Sequence, residues 1–373
     1  MLSAAGKDLQ TLQTGLDTEN PHAEGGFLIP NVKVKIATAV ERIKKTDRNV
    51  LAVLPPADDV REPSYVLVGA HYDHLGRGEM NTLAGKDEAG QICNGADDNA
   101  SGVAAVLELA AALADERQKR PGEFRRGLIF AFWSGEELGL IGSSHFAEHP
   151  PLNWSNVIAY VNFDMVGRLR DDKLNLQGVG SSTLWRRLIE KRNVSAGFNL
   201  ALQDDPYLPT DVTAIYPKGV PVLSFFTGSH EEYHRPGDDA ATLNYAGLER
   251  ITQFARGLLL DLAKTPDRPD YVKVEKTEAP GGRENLRAYL GTIPDYATEV
   301  KGVKLSGVRG GSPADKAGLK GGDVIVQFGG QKIANIYDYT YALDAVKIGQ
   351  PVEIVVQRDG KEIPLKVTPE ARK

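Results

Sequence analysis

Four short apolar runs, each of strand length, constrain this chain more than any other feature: Ser64 to Ala70 (SYVLVGA), Gly127 to Trp133 (GLIFAFW), Val157 to Phe163 (VIAYVNF) and Val220 to Phe226 (VPVLSFF). Apolar letters at consecutive positions, rather than alternate ones, mark strands buried on both faces. A fifth run, Arg48 to Leu54 (RNVLAVL), closes on Pro55-Pro56 and also reads as a strand. Between them, Ser101 to Arg117 carries alanine and leucine at helical spacing with a serine start and charges at its end, and Tyr245 to Ala263 is a second helical stretch. Buried strands alternating with helices predict an α/β sandwich.

After residue 263 the composition shifts to proline, charge and glycine (KTPDRPDYVKVEKTEAPGGREN), which predicts a linker over 265–284 between a domain of residues 1–264 and a β-rich domain of residues 285–373. The length of 373 residues agrees, being too great for one ordinary core. No apolar run approaches the roughly 18 residues of a membrane span. With 44 basic against 50 acidic residues the net charge is -6, which supplies no polyphosphate-binding surface, so nucleic acid is not an expected partner. The lone cysteine, Cys93, forms no intrachain disulfide and reads as a small packed residue. The first twenty residues lack the basic start, apolar stretch and cleavage site of a secretory signal.

Acidic residues and histidines follow the strand runs, where open α/β sheets place their ligand sites. His71 and Asp73 (GAHYDH) follow the second strand, Asp97 and Asp98 (NGADDNASG) open the long helix, and Glu136 and Glu137 (WSGEELGLIG) follow GLIFAFW. Asp164 ends VIAYVNF, and His234 (EEYHRPGDD) lies beyond VPVLSFF. Histidine nitrogens and carboxylate oxygens without thiolates suit zinc, and two ions fit where a carboxylate can bridge them. Two such ions can share one water and polarise a carbonyl together. Of two adjacent glutamates, one can then ligate while the other handles the proton.

These motifs, in this order, resemble the co-catalytic dizinc aminopeptidases of clan MH, a group that also contains glutamate carboxypeptidase II, glutaminyl cyclases and transferrin receptors; the likeness covers residues 1 to 264. It implies a mixed central sheet flanked by helices and two Zn2+ per chain. By this resemblance His71 and Asp164 hold one zinc, Glu137 and His234 the other, and Asp98 bridges both, being preferred to Asp97 because it stands four residues before Gly102. Glu136 is then the general base, Asp73 orients His71, and Tyr233 helps stabilise the tetrahedral oxyanion. The implied substrates are peptides or proteins with free N-termini. Val212 departs from the pattern, since relatives often carry a histidine there after the aspartate, here Asp211, which puts a substrate contact in doubt.

His74 and His145 find no remaining ligand position and are expected to be structural or superficial, and Phe132 and Trp133 to be core. Beyond the linker, YLGTIPDY followed by VRGGSPADKAGLKGGDVIVQF resembles a bacterial-type PDZ domain. That implies a carboxylate cradle of backbone amides at Tyr289, Leu290, Gly291 and Thr292, where the C-terminus of a peptide could dock as an added strand. Ser312-Pro313-Ala314 predicts a short helix and Asp323 to Phe328 a strand. Alternatives within the first fold are a glutaminyl cyclase, which needs one zinc, and a carboxypeptidase, which needs basic residues to grip a carboxylate; a non-catalytic receptor-like scaffold is the remote one. The resemblance also implies export, with a signal and an upstream protease-associated domain absent from this sequence.

Overall fold

The computed structural model describes residues 8, 44–265, 267–275, 288–295, 300–334 and 336–371. Described residues between Asp47 and Thr277 form one unit and those from Ala288 onward a second.

The first unit is built on a seven-stranded sheet. Its strands are β1 (Val50–Leu54), β2 (Tyr65–His71), β3 (Gly127–Trp133), β4 (Val157–Phe163), β5 (Lys173–Gln177), β6 (Asn199–Gln203) and β7 (Val222–Phe226), in the order β1-β3-β2-β4-β7-β5-β6. The central pairs β3/β2, β2/β4 and β4/β7 are parallel, whereas β1 on β3 and β5 on β7 are antiparallel. The sheet is therefore mixed, with helices α1 (Gly102–Lys119), α2 (Ile141–Glu148), α3 (Leu184–Ala196), α4 (Val212–Ile215) and α5 (Tyr245–Lys264) between and after the strands.

Both faces of the sheet are covered, which explains the uninterrupted apolar runs. Val66, Val68 and Ala70 of β2 point into one core with Leu109 and Leu113 of α1 and Leu258 and Leu262 of α5. The intervening Leu67 points the other way, among Trp133, Phe146, Tyr160, Val212 and Tyr216. Removing one such leucine, as in Leu109→Ala, costs about 2–5 kcal/mol through lost burial and the cavity left behind.

Two strands escape the sequence reading. β5 is buried yet carries Asn175 and Gln177, so no apolar run announces it; Asn175 donates to the Phe226 carbonyl (3.0 Å) and Gln177 to Gln203 Oε1 on β6 (2.7 Å). Cross-strand partners, not hydrophobicity, make those positions tolerable in the interior. The described part of the expected linker is fastened to the first unit: Asp270 accepts from Ser182 Oγ (2.7 Å) and Thr183 N (3.1 Å), and the Tyr216 hydroxyl donates to the Val272 carbonyl (2.8 Å). Residues 276–284 lie outside the described residues.

The second unit contains β8 (Ala288–Tyr289), β9 (Thr292–Pro294), β10 (Val303–Val308), α6 (Pro313–Lys316), β11 (Val324–Phe328), β12 (Gln331–Lys332), α7 (Ile336–Ala345), β13 (Val352–Arg358), β14 (Lys361–Val367) and β15 (Glu370–Ala371). An antiparallel sheet runs β14-β13-β11-β10-β9, and β15 pairs with β8. The expected short helix starts where its chemistry requires: the Ser312 hydroxyl accepts from Asp315 N (3.2 Å) and Pro313 occupies the first turn. Leu305, Ile325, Phe328, Ile354 and Val356 form its core.

Candidate metal centre

The parallel strands β3, β2, β4 and β7 end on one edge of the sheet, and the acidic and histidine residues collect there. His71 is the last residue of β2, Asp164 follows β4 directly, and Glu136 and Glu137 lie in the loop after β3. Asp97 and Asp98 sit in the irregular turn before α1, whose Asp98–Asn99 peptide is cis. Gly102 is required at the mouth of that helix, since a Cβ there would run into the Asn99 side chain and the Phe163 carbonyl.

Asp98 is the hinge of the arrangement. Its Oδ1 lies 3.2 Å from His71 Nε2, and its Oδ2 lies 3.3 Å from His234 Nε2. On the first side Asp164 Oδ1 is 3.5 Å from His71 Nε2; on the second, Glu137 Oε2 is 3.1 Å from His234 Nε2. Ligand atoms about 2.0–2.1 Å from a tetrahedral zinc stand about 3.3–3.4 Å from one another, so all four separations match edges of a zinc tetrahedron.

The imidazoles are also oriented for ligation. His71 Nδ1 lies 3.1 Å from the Asp73 carbonyl and His234 Nδ1 2.9 Å from the Asn81 carbonyl. A carbonyl only accepts, so Nδ1 carries a proton in each, and Nε2, which faces the carboxylates, is the nitrogen that a neutral imidazole would offer to a metal.

Electrostatics point the same way. Burial works against a charge on His234, yet the carboxylates of Asp98 and Glu137 outweigh it and push it up to about 10. His71 is likewise raised, against its burial, by Glu136, Asp164, Asp73 and Asp98. Such a surplus of carboxylate calls for positive charge at this spot, and the residues present fit divalent metal.

Asp73 stands apart from a simple His–Asp pair. Its carboxylate is 3.7 Å from His71 Nδ1 and instead accepts the backbone N–H groups of Glu136 (3.1 Å) and Glu137 (3.3 Å), holding the glutamate loop against β2. The Tyr233 ring stacks on His234, with centroids 3.9 Å apart. Burial raises Glu136 well above the usual carboxylate range; His71 opposes this, and Asp211, Asp164 and Glu137 add to it.

A family model, "Peptidase family M28", matches residues 49–259, and a PDZ domain model matches residues 272–368. The chain belongs to peptidase family M28. It carries a PDZ domain after the M28 domain. An aminopeptidase of Pseudomonas aeruginosa is 28% identical over 254 residues, which is 59% of this chain and 42% of that protein. A probable periplasmic serine endoprotease, DegP-like, of Marinomonas sp. is 42% identical over 96 residues, 23% of this chain and 20% of that protein. The chain thus spans less than half the length of these curated relatives. Among solved structures, a zinc aminopeptidase from Bacillus subtilis has a TM-score of 0.48 at 23% identity, covering 61% of this chain and 53% of that one.

Several residues at this M28 centre were given no part in it by sequence. His74, expected to be structural or superficial, is half-buried at the site, its Nδ1 2.7 Å from Glu137 Oε1; with Asp98 and Glu137 it falls within metal-ligating reach. The signal was present in GAHYDH, but only the fold shows that its last histidine turns back to the centre. Buried Asp97, His230 and Asp238, with half-buried Arg168, form a further network behind Asp98. Asp211 is fully buried, and burial pushes it up to about 7, with His71 opposing. Val212 is buried against the sheet in α4, as are Trp133 and, near the centre, Cys93 in their own places, whereas His145 is exposed and stacks on His149.

In the PDZ unit Leu290 is buried and Gly291 adopts φ 77, where a Cβ would strike Ser312. Tyr289 belongs to β8, and Thr292 opens β9 with its hydroxyl 2.7 Å from that of Tyr339.

Proposed function

We propose that this chain is a zinc-dependent aminopeptidase that cleaves N-terminal residues from peptides with two zinc ions. The observation that carries the reading is the Asp98 carboxylate, which sets one oxygen against His71, itself beside Asp164, and the other against His234, itself beside Glu137. These five residues would hold the two ions, with Asp98 shared. When bound, the zinc pair supplies a water of lowered pKa and polarises the scissile carbonyl.

The remaining steps fall to the chain's own groups. Glu136, raised by burial, is suited to take a proton from the attacking water and pass it to the leaving amine. Glu137 stays committed between His74 and His234, so the two adjacent glutamates do different work. Tyr233, stacked on His234, would help stabilise the oxyanion. The likeness to the aminopeptidase of Pseudomonas aeruginosa supports a substrate that brings a free α-ammonium. For the PDZ domain we propose capture of a peptide C-terminus at the Tyr289 to Thr292 loop. Export is proposed in line with the word "periplasmic" in the name of one relative. Among the described residues no helix is long and apolar enough to cross a membrane.

The test is zinc content together with hydrolysis of matched free and N-acetylated peptides. Two zinc ions and strong preference for the free N-terminus are expected; equal cleavage of the acetylated peptide would overturn the aminopeptidase reading.

A further inference from the structure

Behind the bridging aspartate, three consecutive backbone N–H groups converge on one residue. The Asp238 carboxylate accepts Asp97 N (2.9 Å) and Asp98 N (3.0 Å) on the same oxygen, Oδ2, while the Asp238 carbonyl accepts Ala96 N (3.0 Å). The other carboxylate oxygen faces Arg168, 3.4 Å away, and the Asp238 side chain is fully buried. Asp238 lies on the segment that carries His234, so the turn bearing the shared ligand is tied to the loop bearing a ligand of one ion only.

The opposite side of the turn is tied elsewhere. Asp97 Oδ1 accepts Gly167 N (2.6 Å) and Ser101 Oγ (3.1 Å), joining it to the loop after Asp164, and its Oδ2 lies 3.2 Å from His230 Nε2. Asp97 thus ties the turn to the loop after Asp164 and, beside His230, to the segment of His234, whereas Asp238 grips the backbone N–H groups of the turn from the His234 side and reaches the other side through Arg168. The Asp98 side chain is left to span the gap between the two sides. Its two oxygens can serve two ions only if the main chain beneath is fixed to within a fraction of an ångström.

We propose that Asp238 is a positioning residue for the metal pair: by gripping the backbone of Asp97 and Asp98 it holds the bridging carboxylate in register with His234 and Glu137. This rests on the two-zinc reading above. A buried aspartate capping a turn could instead serve stability alone, and the two roles separate by measurement. An anchor for the bridge governs zinc affinity on the Glu137–His234 side, whereas a simple cap governs the melting temperature with or without metal.

The experiment measures zinc stoichiometry and affinity by competition with a chromophoric chelator on the full chain, its Asp238→Ala and its Asp238→Asn variants. Melting temperatures of the chelated and zinc-loaded forms are recorded alongside. Wild type should bind two ions; Asp238→Ala should keep one and bind the other roughly 10- to 100-fold more weakly, the usual scale for a residue supporting a ligand. Asp238→Asn, whose amide oxygen can occupy the place of Oδ2 and accept both N–H groups, should restore zinc binding to near the wild-type level. Asp238→Ser, too short to reach both amides, replaces the alanine variant if that variant does not fold. Two ions at wild-type affinity in the truncated variant, with only the melting temperatures lowered, would overturn the inference. So would equal loss in the asparagine variant, which would assign the effect to charge. A wild-type chain that binds a single ion would instead remove the two-zinc reading on which the inference stands.

Discussion

The two units bury aspartates in opposite ways. In the PDZ unit Asp323 is matched: Arg358 donates to both carboxylate oxygens, Nε at 2.6 Å and a terminal nitrogen at 2.7 Å, and Lys320 N adds a third bond at 2.9 Å. In the peptidase unit Asp98, Asp164 and Glu137 form ion pairs, among the described residues, only with histidines, and His71 and His234 are each shared by more than one carboxylate. A buried charge with a full complement of partners fixes a fold, whereas an interior anionic surplus marks a place for a ligand that brings positive charge. The contrast separates structure from function in residues that look alike in sequence.

The strongest way to break that comparison is to alter the proton-handling group while sparing the ligands. Glu136→Gln should lower kcat by a factor on the order of 10² to 10⁴ with zinc content unchanged. Glu137→Gln should lose zinc first and activity with it, in part recovered by excess metal. Zinc stoichiometry and kcat measured on both variants decide the matter; the reverse pattern would exchange the two roles.

On the balanced side, Asp323→Ala leaves the Arg358 guanidinium without its carboxylate, with only the Gly318 carbonyl to accept from it, and should destabilise the PDZ unit by about 3 kcal/mol. Denaturant unfolding should show it, while zinc content and small-amide hydrolysis stay at wild-type values. Loss of zinc in this variant would erase the distinction between the two regions.

A smaller effect is expected from His74→Phe, which removes the group 2.7 Å from Glu137 Oε1 and should weaken zinc binding by roughly 10-fold. Chelator competition measures it, and unchanged affinity would return His74 to a packing role.

The smallest effect is one of pH, and its sign differs between metal-free and loaded protein. The folded pKa of His234 is raised to about 10, above its ordinary value near 6.5, so in chelated protein its contribution to stability is complete below about pH 6.5 and lost as pH rises towards about 10. Zinc ligation needs the neutral imidazole, so zinc affinity should instead weaken as the pH falls. Melting curves at pH 6 and pH 9, with and without chelator, should show the opposite trends; parallel trends would mean that His234 is not where metal and proton compete.

Much of this was legible beforehand because burial on two faces leaves a local trace. SYVLVGA, GLIFAFW and VIAYVNF became β2, β3 and β4 within a residue, and β7 begins two residues into the fourth run. β5 and β6 left no such trace, since their interior carries polar side chains, whose amide nitrogens on Asn175 and Gln177 donate to the Phe226 carbonyl and to Gln203. The site followed the same division. His71, Asp98, Glu137, Asp164 and His234 announce themselves by residue type and by position after a strand, whereas Asp238 looks like one more acid in HRPGDD.

By itself, then, the sequence determined the strand runs, the donor types at their ends and the residues whose chemistry suits zinc, because periodicity and donor identity are local properties. Only the tertiary structure decided which acid faces which histidine, that both oxygens of Asp98 are used, that His74 turns back onto Glu137 and that Asp238 grips the turn beneath the bridge. Those are distances between segments up to 141 residues apart, set by the order β3-β2-β4-β7 in which the strands pack. Strand order is a consequence of the whole core closing at once, and no single stretch of sequence carries it.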